Sequence, residues 1–203
     1  MSQTERLLST LEKAFDANPK NLHVAISLTR ARLGSGDNKG AETIVRKALS
    51  YNEHEPRLHF LLSCILREKP DASEQDLLYH LRRAFTPGDK NYDAQLMHAR
   101  QVYIMKGHKE AQLFFAELAT ARVTVSERRK HHFPLDEIFH GRIGNMLATA
   151  CFIKCDKTHE LLFAHETNFL DDSWREVIYD SRVRFKIAFN FRGPVAYDVD
   201  FNE

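Results

Sequence analysis

The stretch RVRFKIAFNFRGPVAYDVDF, residues 182–201, reads as two β-strands joined by a turn. Val183, Phe185 and Ile187 fall on one face of the first, and Arg182, Arg184 and Lys186 on the other. That period of two is the mark of a strand with one face buried and one in water. PVAYDVDF, from Pro194 to Phe201, supplies the second strand. Three more candidates lie upstream in ELLFAH (160–165), TACFIKC (149–155) and GRIGNML (141–147). One longer connection, Asn168 to Asp180, holds Trp174, which either folds it against the strands or marks an interface. Five short strands between residues 141 and 203 predict a small closed barrel, because closure removes the edges a flat sheet would expose.

The same alternation sorts the upstream strands. In TACFIKC, Cys151, Ile153 and Cys155 share one face, and Ala150, Phe152 and Lys154 the other. In ELLFAH, Phe163 and His165 turn outward when Leu162 and Ala164 turn inward. The outward face thus mixes aromatic rings with the cations Arg142, Lys154, Arg184 and Lys186. A base stacked on a ring contributes roughly 1–3 kcal/mol, so Phe152 and Phe163 are candidate platforms for two bases. The alternative is that both rings pack against the helical domain or a partner protein, with His165 a structural histidine. Residues 141–203 carry eight Lys or Arg against ten Asp or Glu, a balance slightly against phosphate binding.

This region resembles the cold-shock domain, a five-stranded OB-fold family that binds single-stranded nucleic acid. In the family's first ribonucleoprotein motif the chain has Ala148 to Ile153, matching at Phe152 and Ile153. In the second it has Phe163, Ala164, His165 and Glu166, keeping the ring and the histidine. RVRF at 182–185 and GPVAYDV at 193–199 resemble the last two strands. Asn145 stands where the family has a stacking Trp, and Ala150 where it has an aromatic ring. The resemblance implies a nucleic-acid face at Phe152, Phe163 and His165 with Arg142, Lys154, Arg184 and Lys186 around it.

Residues 4–121 instead carry paired helical patterns. In NLHVAISLTRARLGSGDNKGAETIVRKALSYNEHEP, Leu22, Ala25, Leu28 and Arg32 space one helix, GSGD stops it, and Ala41, Ile44, Val45, Ala48 and Leu49 space the next. RLHFLLSCILREKPDASEQDLLYHLRRAF and YDAQLMHARQVYIMKGHKEAQLFFAELATA repeat the unit, with Leu77 and Ala84, then Ala111 and Leu118, in the matching places. Ala14 to Ala48, Ala48 to Ala84 and Ala84 to Leu118 are spaced by 34, 36 and 34 residues. The region resembles the tetratricopeptide family. ERLLSTLEKAF either caps that stack or belongs to a longer one. The resemblance implies a concave face for a protein partner, with His23, Arg30, His59, Gln95, His98 and Tyr103 along it. The plainer alternative is a solvated polar side.

The expected organisation is therefore a multidomain α + β chain: a TPR-like α-solenoid over 1–121, a basic junction over 122–140, and a cold-shock-like OB barrel over 141–203. In the junction Ser126 is the expected cap of a short helix carrying Arg128, Arg129, Lys130, His131 and His132, ended by Pro134. That basic run could touch phosphates. His131, His132, Asp136, Glu137 and His140 lack a metal-binding spacing, and Pro134 keeps them off one helix. The cysteines Cys64, Cys151 and Cys155 form no CxxC pair and are odd in number, which fits a reducing compartment, and Cys151 and Cys155 read as small core residues. There is no phosphate loop, nucleophile elbow or zinc-protease spacing, so no catalytic residue, metal or cofactor is expected. A net charge of +1, no apolar leader and no run long enough to span a bilayer place the chain in the cytoplasm as an expectation. The predicted function is a non-enzymatic adaptor that holds a protein on the helices and single-stranded nucleic acid, RNA before DNA, on the barrel. A protein-only scaffold is the alternative.

Overall fold

The computed structural model describes residues 3–86, 88–130, 132–171 and 173–201, within which eight α-helices precede a closed five-stranded barrel. Two compact units divide between Gly107 and His108. None of the described helices is long and apolar enough to cross a membrane.

The first unit contains α1 (Gln3–Ala17), α2 (Leu22–Gly34), α3 (Asn38–Leu49), α4 (Pro56–Arg67), α5 (Glu74–Leu81) and α6 (Tyr92–Lys106), each packed on the next. Asn21, Asp37, Ser73 and Asn91 cap α2, α3, α5 and α6 by accepting first-turn backbone N–H groups. Gly36 turns the chain between α2 and α3 at φ +80, a conformation costly for a side chain with a Cβ. Ala25, Leu28, Ala41, Val45 and Ala48 are fully buried, so the short side chains let α2 and α3 approach as their spacing predicts. Arg32 is held by Asp37 and Glu12. Phe15 of α1 is buried, whereas Leu7, near the start of that helix, is 54% exposed.

The second unit begins with α7 (His108–Ala119), which was expected to complete a helical pair and is grouped here with the barrel. Phe115 of α7 is buried and stacks on Phe189 with planes 7° apart and centroids at 6.1 Å. Next comes α8 (Val125–Arg129), capped by Thr124, whose hydroxyl accepts from the Glu127 N–H at 3.1 Å. The expected cap, Ser126, lies inside the helix because Thr124 already has the extended backbone a cap requires. The helix ends at Arg129, and His132 pairs with Phe189 as an isolated bridge. His131 lies outside the described residues.

The strands are β1 (Phe139–Met146), β2 (Ala150–Cys155), β3 (Leu161–His165), β4 (Arg182–Asn190) and β5 (Gly193–Asp200), ordered β1-β2-β3-β5-β4 around the barrel. All neighbours are antiparallel except β3 and β5. β1 starts inside the stretch expected to be junction, pairing Phe139 with Phe185 of β4. Gly141 is required by close approach: a Cβ there would lie 2.3 Å from the Lys154 carbonyl oxygen. Val183, Phe185, Ile187, Ile143, Ile153, Leu162 and Val199 fill the interior. Asp198, at φ 50, sits at the β4–β5 register shift as a bulge residue. In the long connection Trp174 meets Phe169 edge-on at 5.2 Å, and Phe169 bridges Val199, so the ring packs against the barrel unit.

Candidate nucleic-acid interface

Strands β2 and β3 pair Cys151 with Ala164, Phe152 with Phe163 and Ile153 with Leu162. Cys151, Ile153, Leu162 and Ala164 are buried, so the pleat turns Phe152 and Phe163 to the outer face, where both are partly exposed. Their centroids are 5.7 Å apart and their planes stand at 70°, an edge-to-face pair. The thiol of Cys151, enclosed on the inner face, is pushed up to about 11 by burial and is inert there.

His165 lies opposite Ala150 and ends β3. Its N–H donates to Asn168 Oδ1 at 2.8 Å, and its Nδ1 accepts from the Thr167 N–H at 3.3 Å, with Thr167 Oγ1 at 3.0 Å. An acceptor Nδ1 corresponds to the tautomer with its proton on Nε2. His165 is therefore a structural cap.

The cations selected by alternation behave differently. Arg184 pairs with Asp200 at 2.7 Å and Lys186 with Asp198 at 3.2 Å, both acids coming from β5. Arg142 pairs with Asp180 at 3.2 Å. A cation already facing a carboxylate gains less from a phosphate, because the acid must be displaced or repels it. Lys154 is exposed and has no ion-pair partner among the described residues.

Beside Phe163 the barrel surface opens into a cavity of about 540 Å3. Phe163, Pro194 and Val195 give it an apolar side, His165 and Asn190 a polar one, and Arg128, Arg129 and Arg192 a positive one. Arg128 donates from Nη2 to the Ala121 carbonyl at 2.7 Å, and its buried Nε has no hydrogen-bond partner among the described residues. Arg129 and Arg192 are exposed and face no carboxylate within ion-pair distance among the described residues. Asn190 holds the β4–β5 turn by accepting from the Arg192 N–H at 2.8 Å. Sequence reading singled out Arg128 and Arg129 as part of a basic run, and missed Arg192, Asn190, Thr167 and Asn168. Their only local sign is the FRG turn that carries Arg192 beside the strand containing Val195.

In the helical unit the residues expected along a partner face separate. His23 and Arg30 are exposed on α2, and Gln95 is partly buried with its amide donating to Asp89. His59, His98 and Tyr103 are buried at 2%, 3% and 7% exposure, so they present little surface to a partner. His59 Nδ1 lies 2.8 Å from His80 Nδ1, and its Nε2 lies 2.8 Å from the Glu53 carbonyl. Burial pushes the His59 ring below its ordinary value and takes His80 and His98 to about 4. Among the described residues no group of three or more His, Cys, Asp and Glu is arranged to hold a metal ion.

No family model matches the chain, and no curated protein matches it. Among solved structures it is similar to two crystal structures of MamA, each at 16% identity and a TM-score of 0.48 over 56% of this chain. A structure titled MamA MSR-1 C2 follows at 18% identity and a TM-score of 0.44, again over 56%. The chain spans 66%, 61% and 64% of those three proteins, less than two thirds of each.

Proposed function

We propose that this chain is a non-enzymatic binding protein whose barrel holds single-stranded nucleic acid, RNA in preference to DNA, across β2 and β3. The observation that carries this reading is the outward Phe152–Phe163 pair, with His165 on the same strand and unpaired basic groups beside it. The strand order β1-β2-β3-β5-β4 supports reading the barrel as an OB-fold, whose second and third strands form the usual nucleic-acid face. Exposed rings bind bases without sequence preference because every base has a π-face. Titration of the full chain with a fluorescein-labelled oligouridylate, its DNA counterpart and a blunt duplex tests this. The reading expects the RNA strand to bind more tightly than the DNA strand and both more tightly than the duplex. If neither strand binds at low salt, the reading falls.

For the helical unit, the spacing of about 34 residues supports a tetratricopeptide-type stack that docks a protein segment. Exposed His23 and Arg30, seven residues apart on α2, favour an acidic segment over an apolar one.

A further inference from the structure

Phe163 belongs to two surfaces: it forms the ring pair with Phe152, and it walls the arginine-lined cavity. A strand lying across β2 and β3 would therefore run directly into that cavity. We propose that the cavity is a pocket for a nucleotide bearing a terminal phosphate, with the base against Phe163 and the phosphate among Arg128, Arg129 and Arg192. The proposal rests on the nucleic-acid reading of the β2–β3 face.

Three arguments carry it. The first is charge. An internal phosphodiester carries one negative charge, whereas a phosphomonoester with a second pKa near 6 carries about −1.5 to −2 at pH 7. Three guanidiniums with no carboxylate among the described lining residues match the monoester better than the diester. Elsewhere on this barrel Arg142, Arg184 and Lys186 each have an acid partner, so the contrast is local to the cavity.

The second is donor supply. Arg128 spends Nη2 on the Ala121 carbonyl, a bond that holds its guanidinium at the cavity wall. His165, whose Nδ1 is taken up by Thr167, adds its Nε2 edge as a second polar group of the cavity. Guanidinium forks suit phosphate because they give paired, charge-assisted hydrogen bonds. The third is size and polarity. The cavity of about 540 Å3 lies within the usual range for small-ligand pockets. Its apolar side at Phe163, Pro194 and Val195 suits a base rather than a bare inorganic anion.

The test compares full-length protein binding to one oligouridylate carrying a 5′-phosphate, a 3′-phosphate or hydroxyls at both ends, with free uridine monophosphate as a fourth ligand. A phosphate at one end should tighten binding about tenfold. Arg129→Gln combined with Arg192→Gln, both at exposed positions, should bring phosphorylated and hydroxyl-ended strands to the same affinity. If wild-type protein binds all three strands equally, the pocket proposal is overturned while the β2–β3 reading stands. If the hydroxyl-ended strand fails to bind but the free nucleotide binds and the double substitution removes it, the pocket stands with a free nucleotide as its ligand, and the face reading falls. No binding of any of the four overturns both.

Discussion

Phe152 and Phe163 sit opposite each other across β2 and β3 with ring planes at 70°, so one ring presents its edge to the other's face. That geometry fixes the rings before a ligand arrives, which lowers the entropy lost on binding. It also differs from two parallel platforms: two bases stacked on these rings must be splayed rather than continuously stacked. The two rings should therefore contribute unequally. Phe163→Ala should cost more than Phe152→Ala, because Phe163 also walls the cavity; isothermal titration of each single variant with the same RNA strand checks the order.

Salt should weaken binding in proportion to the phosphates engaged. With three arginines at the cavity and Lys154 exposed, about three to four contacts give a slope of log K on log salt of roughly −2 to −3, using about −0.7 per contact for single strands. Replacing Arg192 with Gln should make the slope shallower by about 0.7. Replacing Arg184, already bonded to Asp200, should change it little. Equal effects of the two substitutions would mean that ion pairing on the barrel does not decide which cations meet phosphate.

The barrel depends on a close approach at Gly141. Gly141→Ala places a methyl group 2.3 Å from the backbone carbonyl of Lys154, which cannot swing aside as a side chain does. The β1–β2 ladder must shift, and overpacking of this kind costs about 1–3 kcal/mol or more. Thermal unfolding followed by near-UV circular dichroism should show a midpoint lower by several degrees.

Phe115 ties α7 to the barrel by stacking on Phe189. Phe115→Ala in the full chain should destabilise the second unit by about 3–5 kcal/mol, the usual cost of removing a buried phenyl ring. Hydrogen exchange would locate the loss in β4 and β5, which carry Phe189 and Gly193 beside that ring.

The helical unit should lose stability in acid. Burial takes His98 to about 4, with Arg82 and Lys106 pushing the same way, and takes His80 to about 4 although Asp76 opposes the shift. In the unfolded chain both rings titrate near 6.5. Between those values the unfolded state binds more protons, so stability is fully present above about pH 6.5 and falls as pH drops toward 4. The contribution of His98 is on the order of 3 kcal/mol. His98→Gln should flatten the pH dependence of the melting temperature; an unchanged profile would place the acid sensitivity elsewhere.

Local patterns carry much of this architecture and little of its site. Period-two alternation in RVRFKIAF and TACFIKC reports which side chains enter the barrel, because it depends only on the pleat. It also places Phe152 and Phe163 outside. Alternation cannot report that Asp198 and Asp200 return on β5 to neutralise Lys186 and Arg184, since that is a matter of pairing between strands. The cavity is still less local: Arg129 and Arg192 come from a short helix and a hairpin far apart in the chain. Helical spacing likewise leaves His59 and His98 on a face that looks polar. Their burial follows from packing between α4, α5 and α6, where His59 meets His80 and His98 meets Phe85. Thr124 rather than Ser126 caps α8 for a related reason, because either hydroxyl fits the local pattern and the backbone decides.

The most direct measurement is the affinity of full-length protein carrying both Phe152→Ala and Phe163→Ala for a short RNA strand, with the fold verified by circular dichroism. The account predicts a loss of about 2–4 kcal/mol, roughly thirtyfold to a thousandfold in dissociation constant, with the barrel intact. An intact double variant that binds the strand as tightly as the wild type would contradict it.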